Sequence, residues 1–388
     1  MEGGLHQHWI LLDTLDYIAE CPNASFAHSS TTTSHRIEVS FCTARPPHVS
    51  HFCVHCPGHG PADFSLAPTV ITAEADLILF CLSVSSSVLF GPRYCDYFLY
   101  RAHPRSPSLD LLPHPYPHRF RDQEVALLSL GGLAAVAILT SRCLIVSLRE
   151  DGRLNESEFD LCLYRSSSRP HEGWTSKVVS VADPLRDAVC PVDGAPYHDT
   201  TKVIMLGRGM VCWIDLWRGI LLCNVFDENP LLIGIPLPLP ARGWKFRTWS
   251  LDCATTFPSW KEWRLDLTID VADIAVQPIH SEQLPRRHNI GDNPTQATLL
   301  QHLIIGYPTS SMDDDVVYML SKACPEDQME VVIAIDVRNK TLQGVAKLIT
   351  GKDFTYTRNC TSEISLQLFH GGPSLAGFLV EPFEISDQ

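Results

Sequence analysis

The stretch Val211-Cys212-Trp213-Ile214-Asp215-Leu216-Trp217-Arg218-Gly219-Ile220-Leu221 decides the fold. It reads as an apolar run, an aspartate, a basic-containing turn and a second apolar run. Strand side chains alternate between two faces, so Trp213, Asp215 and Trp217 share one side and Ile214 and Leu216 the other. An aspartate closing the first run suits a hairpin, because its carboxylate accepts backbone N–H groups at the turn. The same order returns at Val331-Val332-Ile333-Ala334-Ile335-Asp336-Val337-Arg338-Asn339-Lys340-Thr341-Leu342. The two aspartates lie about three repeats of ~40–45 residues apart.

Outward from these hairpins, short apolar segments recur along the whole chain. Among them are Trp9–Leu12, Ile37–Phe41, Ala75–Leu82, Tyr97–Tyr100, Cys143–Leu148, Phe159–Tyr164, Lys177–Val181, Leu265–Val271 and Val316–Leu320. They are short, rich in Val, Ile, Leu, Phe and Tyr, and bounded by Gly, Pro, Ser and Asp, as strands are. The uncharged run Val125–Thr140 is broken by Gly131-Gly132. It is too short for a membrane span of about 20 apolar residues and reads as two buried strands. Leu11–Glu20 admits a short helix or a strand, and Gln296–Gln301 a single helical turn. The fold expected is all-β, with few or no long helices: one kelch-like β-propeller unit over residues 1–388, with about six or seven blades. Proline cannot donate to a ladder, so the Pro-rich segments 101–121 and 278–294 are expected to be irregular insertions. Closure of such a ring would bring Trp9–Leu12 beside the last strands, near Leu366–Phe369 or Phe378–Val380.

Composition narrows the partners. The 388 residues carry 30 Lys+Arg against 44 Asp+Glu, a net charge of −14. A phosphate-backbone binder needs clustered Lys and Arg, so nucleic acid is not expected as a partner, nor is a membrane. The N-terminus lacks the basic and apolar regions of a secretory signal. The 14 cysteines are scattered singly and often sit inside apolar runs, as buried free thiols do. A reducing compartment follows, cytoplasmic or nuclear.

Within residues 160–240 the pattern becomes specific. Trp213-Ile214-Asp215-Leu216-Trp217-Arg218-Gly219-Ile220-Leu221-Leu222-Cys223 resembles the signature of a plant family, expanded in grasses, known as domain of unknown function sixteen-eighteen. Leu163-Tyr164-Arg165-Ser166, Gly173-Trp174 and Ile235-Pro236-Leu237-Pro238 add to the resemblance, as do Trp9-Ile10-Leu11-Leu12-Asp13 and Phe52-Cys53-Val54-His55-Cys56-Pro57-Gly58. The resemblance implies a β-propeller-like fold akin to kelch and F-box-associated domains. It brings no catalytic residues and no cofactor.

Candidate chemistry is sparse. Cys42, His48, His51, Cys53, His55, Cys56 and His59 cluster in one stretch, with Cys53-Val54-His55-Cys56 a C-x-x-C within it, and thiolates with imidazoles suit zinc. No second pair is spaced as a finger needs, and strand alternation points Cys53 and Cys56 to opposite faces. Cys53, Cys56, His51 and His55 therefore stand as weak metal candidates, and no metal is expected. Trp213, Trp217 and Arg218 are weak binding candidates, since Trp and Arg dominate contact hot spots; packing of the tryptophans between sheets is the preferred explanation. The chain has no Gly-x-Ser-x-Gly elbow and no Gly-rich phosphate loop, so no catalytic residue is assigned and an enzyme is not favoured. The expected function is a protein–protein interaction scaffold. The alternative is a hydrolase whose carboxylates or histidines meet in a central channel.

Overall fold

Short β-branched and aromatic segments joined by tight turns have one economical outcome, hairpins laid side by side. The computed structural model describes residues 9–14, 17–84, 95–103, 105–114, 120–142, 158–166, 173–182, 198–216, 218–237, 245–251, 263–285, 300–311, 314–324, 331–348 and 359–362. These residues form an all-β chain. β1 is Ile10–Asp13 and β2 Tyr17–Ile18; β3 (Ala27–Ser30), β4 (Arg36–Cys42) and β5 (His51–His55) follow. The first four-stranded sheet runs β2-β5-β4-β3, with β2 parallel to β5 and the other pairs antiparallel.

Three antiparallel meanders come next, each in chain order. The second sheet holds β6 (Phe64–Glu74), β7 (Leu77–Val84), β8 (Asp96–Arg101) and β9 (Ser108–Leu111). The third holds β10 (Val125–Leu130), β11 (Leu133–Ser141), β12 (Glu158–Arg165) and β13 (Thr175–Ser180). The fourth holds β14 (Lys202–Gly207), β15 (Met210–Asp215), β16 (Gly219–Asn224) and β17 (Ile233–Pro236). β18 (Lys245–Leu251) pairs with β19 (Trp263–Asp270). A last meander joins β20 (Ile304–Ser310), β21 (Val316–Lys322), β22 (Val331–Asp336) and β23 (Thr341–Lys347). Finally β24, Asn359–Ser362, runs antiparallel to β1, with Ile10 opposite Ser362 and Asp13 opposite Asn359.

The middle strands of the second, third and fourth sheets are apolar on both faces because each of these sheets has a neighbour on either side. All eight residues of β7 are buried. One face of the second sheet (Ile78, Phe80, Phe98, Tyr100) meets Ile37, Val39, Phe52 and Val54 of the first, with the Phe52 ring edge-on to Phe80 at 5.1 Å. Its other face, with Leu77, Leu79 and Leu99, packs on Leu127, Val136 and Ile138 of the third sheet. The third sheet then turns Ala137, Leu139 and Leu161 towards Val211, Trp213 and Leu221 of the fourth. Ile214, Ile220 and Leu222 lie behind these, with Trp263 of β19 against them. Ile269 joins Val317, Ile333 and Ile335 of the last meander, whose far face covers Trp9 and Leu11 beside β1. Burial of such side chains stabilises by roughly 1.5–3 kcal/mol each.

Both hairpins singled out in the sequence form. At the β22–β23 turn, Asp336 accepts hydrogen bonds from the Asn339 backbone (2.8 Å) and side chain (2.8 Å) and from Gln343 (2.9 Å). Partial burial opposes ionisation, but these bonds win and hold the carboxyl below its ordinary range. Val125–Thr140 is the β10–β11 hairpin, turning at Gly131 and Gly132 with φ of +53° and +90°, values that glycine adopts without strain. No helix of the described residues is long and apolar enough to cross a membrane.

Some expectations shift. Residues 11–13 of Leu11–Glu20 and the pair Tyr17–Ile18 are strand, not helix. The Pro-rich segment 101–121 is not wholly irregular: it supplies β9, with Leu109, Leu112 and Phe120 buried. Its prolines flank the strand and leave the ladder donors of Ser108–Leu111 intact. Segment 278–294 opens with a helical turn at Pro278–Ser281 and buries Leu284, and residues 286–294 lie outside the described set. Leu300–His302 form one 3-10 turn beside the expected Gln296–Gln301. Cys143–Leu148, Leu366–Phe369 and Phe378–Val380 also lie outside it. The first strand does meet the last described one, at Asn359–Ser362.

β1 is held on both sides, since Asp13 N donates to Ser50 O (2.9 Å) and Ser50 N to Leu11 O (2.7 Å) ahead of β5. Deleting residues 1–14 strips β24 and the start of β5 of their partner and bares apolar sheet faces. The deletion variant is expected to elute as aggregate in size-exclusion chromatography. A monomeric, cooperatively melting product would show that the strand is dispensable.

Candidate functional site

Among the described residues, two places gather polar chemistry. The first is the solvent-side face of the first sheet. In β4 and β5, alternation sends Ile37, Val39, Phe41, Phe52 and Val54 into the core and leaves Glu38, Ser40, Cys42, His51, Cys53 and His55 on the other face. The antiparallel register sets Glu38 opposite His55, Ser40 opposite Cys53 and Cys42 opposite His51. β2 lies parallel to β5, with Tyr17 beside Cys53, and the chain beyond it carries Cys21 over the end of β4.

The result is a triad of thiols. Cys21 Sγ lies 3.2 Å from Cys42 Sγ, Cys42 Sγ lies 3.8 Å from Cys53 Sγ, and all three sulfurs fall within 4.8 Å of one another. Burial, and then the neighbouring thiols, push Cys53 up to about 12; burial and the bond to Cys21 also raise Cys42. Cys42 and Cys53 are therefore protonated at neutral pH without a cation. A cleft of about 230 Å³ opens beside them, lined by Glu20, Cys21, Phe26, Glu38, Cys53 and His55 among others. Across it the His55 ring bonds Glu38 at 3.1 Å, which holds the Glu38 carboxyl below its ordinary value.

Of the metal candidates named from sequence, the structure brings only Cys53 into this triad. Cys56 is fully buried on the opposite face, its Sγ 3.4 Å from His59 Nδ1. His55 is engaged with Glu38, and His51 packs its ring 4.6 Å from that of Tyr17. Cys42 belongs to the cluster visible in the sequence, whereas Cys21 escaped that reading. Cys21 sits in no motif, and only the β2–β5 pairing carries it to the others.

The second place is the seam between the third and fourth sheets. Trp213 is fully buried and donates Nε1–H to the Glu124 carbonyl at 2.9 Å. Glu124 itself is 4% exposed; burial raises its carboxyl above the ordinary range against the bonds from Arg121. Arg121 also pairs with Asp199, whose backbone N–H donates to Asp215 Oδ2 at 2.8 Å. Asp215, 1% exposed at its side chain, lies 3.8 Å from Arg218 Nε. Across the same seam, the Arg165 guanidinium sits 4.9 Å over the Phe226 ring. Phe226 in turn crosses Gly209, where a Cβ would collide with the ring. Of the binding candidates, Trp213 is thus interior and Arg218 mostly buried, and Trp217 lies outside the described residues.

His198 closes this seam. It is 3% exposed, its ring edge-on to Phe159 at 6.3 Å, and neither ring nitrogen makes a well-formed hydrogen bond. Burial and then the Arg218 charge push it down to about 3, against weaker opposing effects of the Trp213 backbone and Asp199. Position 198 offers no sequence signal for this, because the seam assembles from distant segments.

The class defined by fold and site is an all-β chain of two- and four-stranded sheets packed on one another, with a polar network buried in the seam between the third and fourth four-stranded sheets. Residues 213–245 match the family model described as Protein of unknown function (DUF1618). That match starts at Trp213 and runs through β16 and β17, the fourth sheet's half of the seam. No curated protein matches the chain.

Three stability outcomes follow. Trp213→Ala removes a fully buried indole and should cost about 3–5 kcal/mol in urea melts. Trp213→Phe keeps most of the volume but orphans the Glu124 carbonyl, so about 1–3 kcal/mol is expected. For His198 the unfolded chain takes up a proton near pH 6.5 and the folded chain only near pH 3, so stability is full above pH 6.5 and falls as pH drops through this window. The slope should approach about 1.4 kcal/mol per pH unit. It should flatten in His198→Gln, measured by urea melts from pH 7.5 to 4.5; an unchanged slope would exclude His198 as its source.

Proposed function

We propose that this chain is a β-propeller-like protein–protein interaction scaffold with six blades. The blades would be β24-β1-β5-β4-β3, β6–β9, β10–β13, β14–β17, β18–β19 and β20–β23. In support, the first strands of successive sheets are neighbours in turn: β6 with β10, β10 with β14, β20 with β24 and β24 with β6. Among the described residues, adjacent sheets share apolar clusters, and the first strand shares a ladder with the last described one. The kelch-like and plant character implied by the family resemblance belongs to the same proposal.

The observation that carries the scaffold reading is two exposed apolar side chains on hydrogen-bonded segments of the third and fourth sheets. Val178 on β13 is 56% exposed and Leu231 just ahead of β17 is 51% exposed. Their segments are fixed by Leu232 N donating to Ser180 O (3.2 Å), Ala182 N to Leu232 O (2.8 Å), and Lys177 Nζ to the carbonyls of Asp227 (3.3 Å) and Glu228 (2.6 Å). Rigid, exposed apolar side chains rimmed by polar groups are what protein interfaces use. With a net charge of −14, the complementary partner is a protein whose surface combines apolar and basic residues, in the cytoplasm or nucleus, rather than nucleic acid or a membrane.

The test is affinity capture of the intact protein from its own tissue, read by quantitative mass spectrometry beside a Val178→Glu/Leu231→Glu variant with the same melting temperature. A stoichiometric protein partner depleted about tenfold or more by the variant is expected. Equal capture by both forms, or no stoichiometric partner, would overturn this assignment of the binding face.

A further inference from the structure

We infer that Cys21, Cys42 and Cys53 form a binding site for one thiophilic divalent cation of the zinc type, with a fourth coordination position open to the adjoining cleft. This does not rest on the scaffold reading. Three sulfurs from a strand pair and the loop crossing it converge on one point. Around a tetrahedral zinc with bonds of about 2.3 Å, sulfurs lie roughly 3.8 Å apart. The separations of 3.2 and 3.8 Å, with all three within 4.8 Å, need only small side-chain rotations to match. Cys42 and Cys53 reach one another because they are diagonal neighbours on one face of β4–β5. A disulfide would use two of these sulfurs and leave the third idle, whereas a soft cation uses all three.

Three protein ligands with an open position are the arrangement of sites that take a water or an incoming group on the metal. The cleft supplies the room, and Glu38 and His55 line it within reach of one another. They would accept or donate hydrogen bonds to whatever fills the fourth position. On binding, each ligating thiol forms a sulfur–metal bond and releases its proton to solvent, so uptake falls as pH falls. The cation would also tie the Cys21 loop to β4 and β5 and stabilise the first sheet.

The experiment is titration of the full-length, chelator-stripped and reduced protein with Co²⁺, followed by displacement with Zn²⁺. One equivalent should produce the near-ultraviolet sulfur-to-cobalt charge-transfer band and the visible bands of a tetrahedral site. Zn²⁺ should remove both and raise the melting temperature. Cys21→Ser and Cys53→Ser should weaken binding by more than about tenfold, and Cys56→Ser, on the buried face, should leave it unchanged. Cys21 lies on a half-buried loop, so its variant keeps the test valid if Cys53→Ser does not fold. Absence of the band in the unmodified protein, or its persistence in Cys21→Ser, would overturn the site. So would reduced protein that takes up no metal, having been isolated two hydrogens lighter with Cys21 and Cys42 joined.

Discussion

The pairing of β1 with β24 is the constraint on which the rest depends. The second, third and fourth sheets bury apolar faces against a neighbour on either side, and a row of such sheets leaves apolar faces and strand edges open at its ends. Ile10–Asp13 remove one liability by bonding to Asn359–Ser362 and, on the other side, to Ser50 ahead of β5. Trp9 and Leu11 remove another by filling the outer face of the last meander, where the Trp9 ring meets Tyr318 at 5.6 Å. Trp9–Asp13 thereby join the first described strand to the last described one.

The seams carry a second kind of order. A buried charge costs several kcal/mol unless it is paired and hydrogen-bonded, yet Glu124 and Asp215 are almost fully enclosed. Their partners come from separate segments: Arg121 beside Glu124, the Asp199 backbone and Arg218 beside Asp215, and the Trp213 indole on the Glu124 carbonyl. Such a network is satisfied in only one relative placement of the two sheets, which gives the contact a register that apolar packing alone would not impose. His198 pays no part of this pairing and remains neutral at the edge of the network.

The first sheet shows how the same alternation divides structure from chemistry. Phe52 and Val54 are core; Cys53 and His55, between and beside them, face the cleft. The C-x-x-C at Cys53 and Cys56 drew attention because of its spacing, but an odd spacing along a strand separates the two thiols. Cys42 meets Cys53 through cross-strand register, and Cys21 through a parallel pairing of two residues. Spacing along the chain carries no information about either contact.

The sequence alone determined the all-β class, most of the strands, and the two aspartate hairpins, because period-two apolar alternation and turn chemistry are local properties. β6 escaped it because Ser65, Ala67, Pro68 and Thr69 break up its pattern; in the structure that strand is only partly buried and carries three irregularities in its register. β9 escaped because it is short and set among prolines. Tertiary structure alone decided which strand meets β1, that Trp213 is interior, that His198 is isolated in a seam, and that Cys21, Cys42 and Cys53 stand together. Each of these depends on contacts between residues far apart in the chain, and such contacts exist only once the sheets have packed face to face.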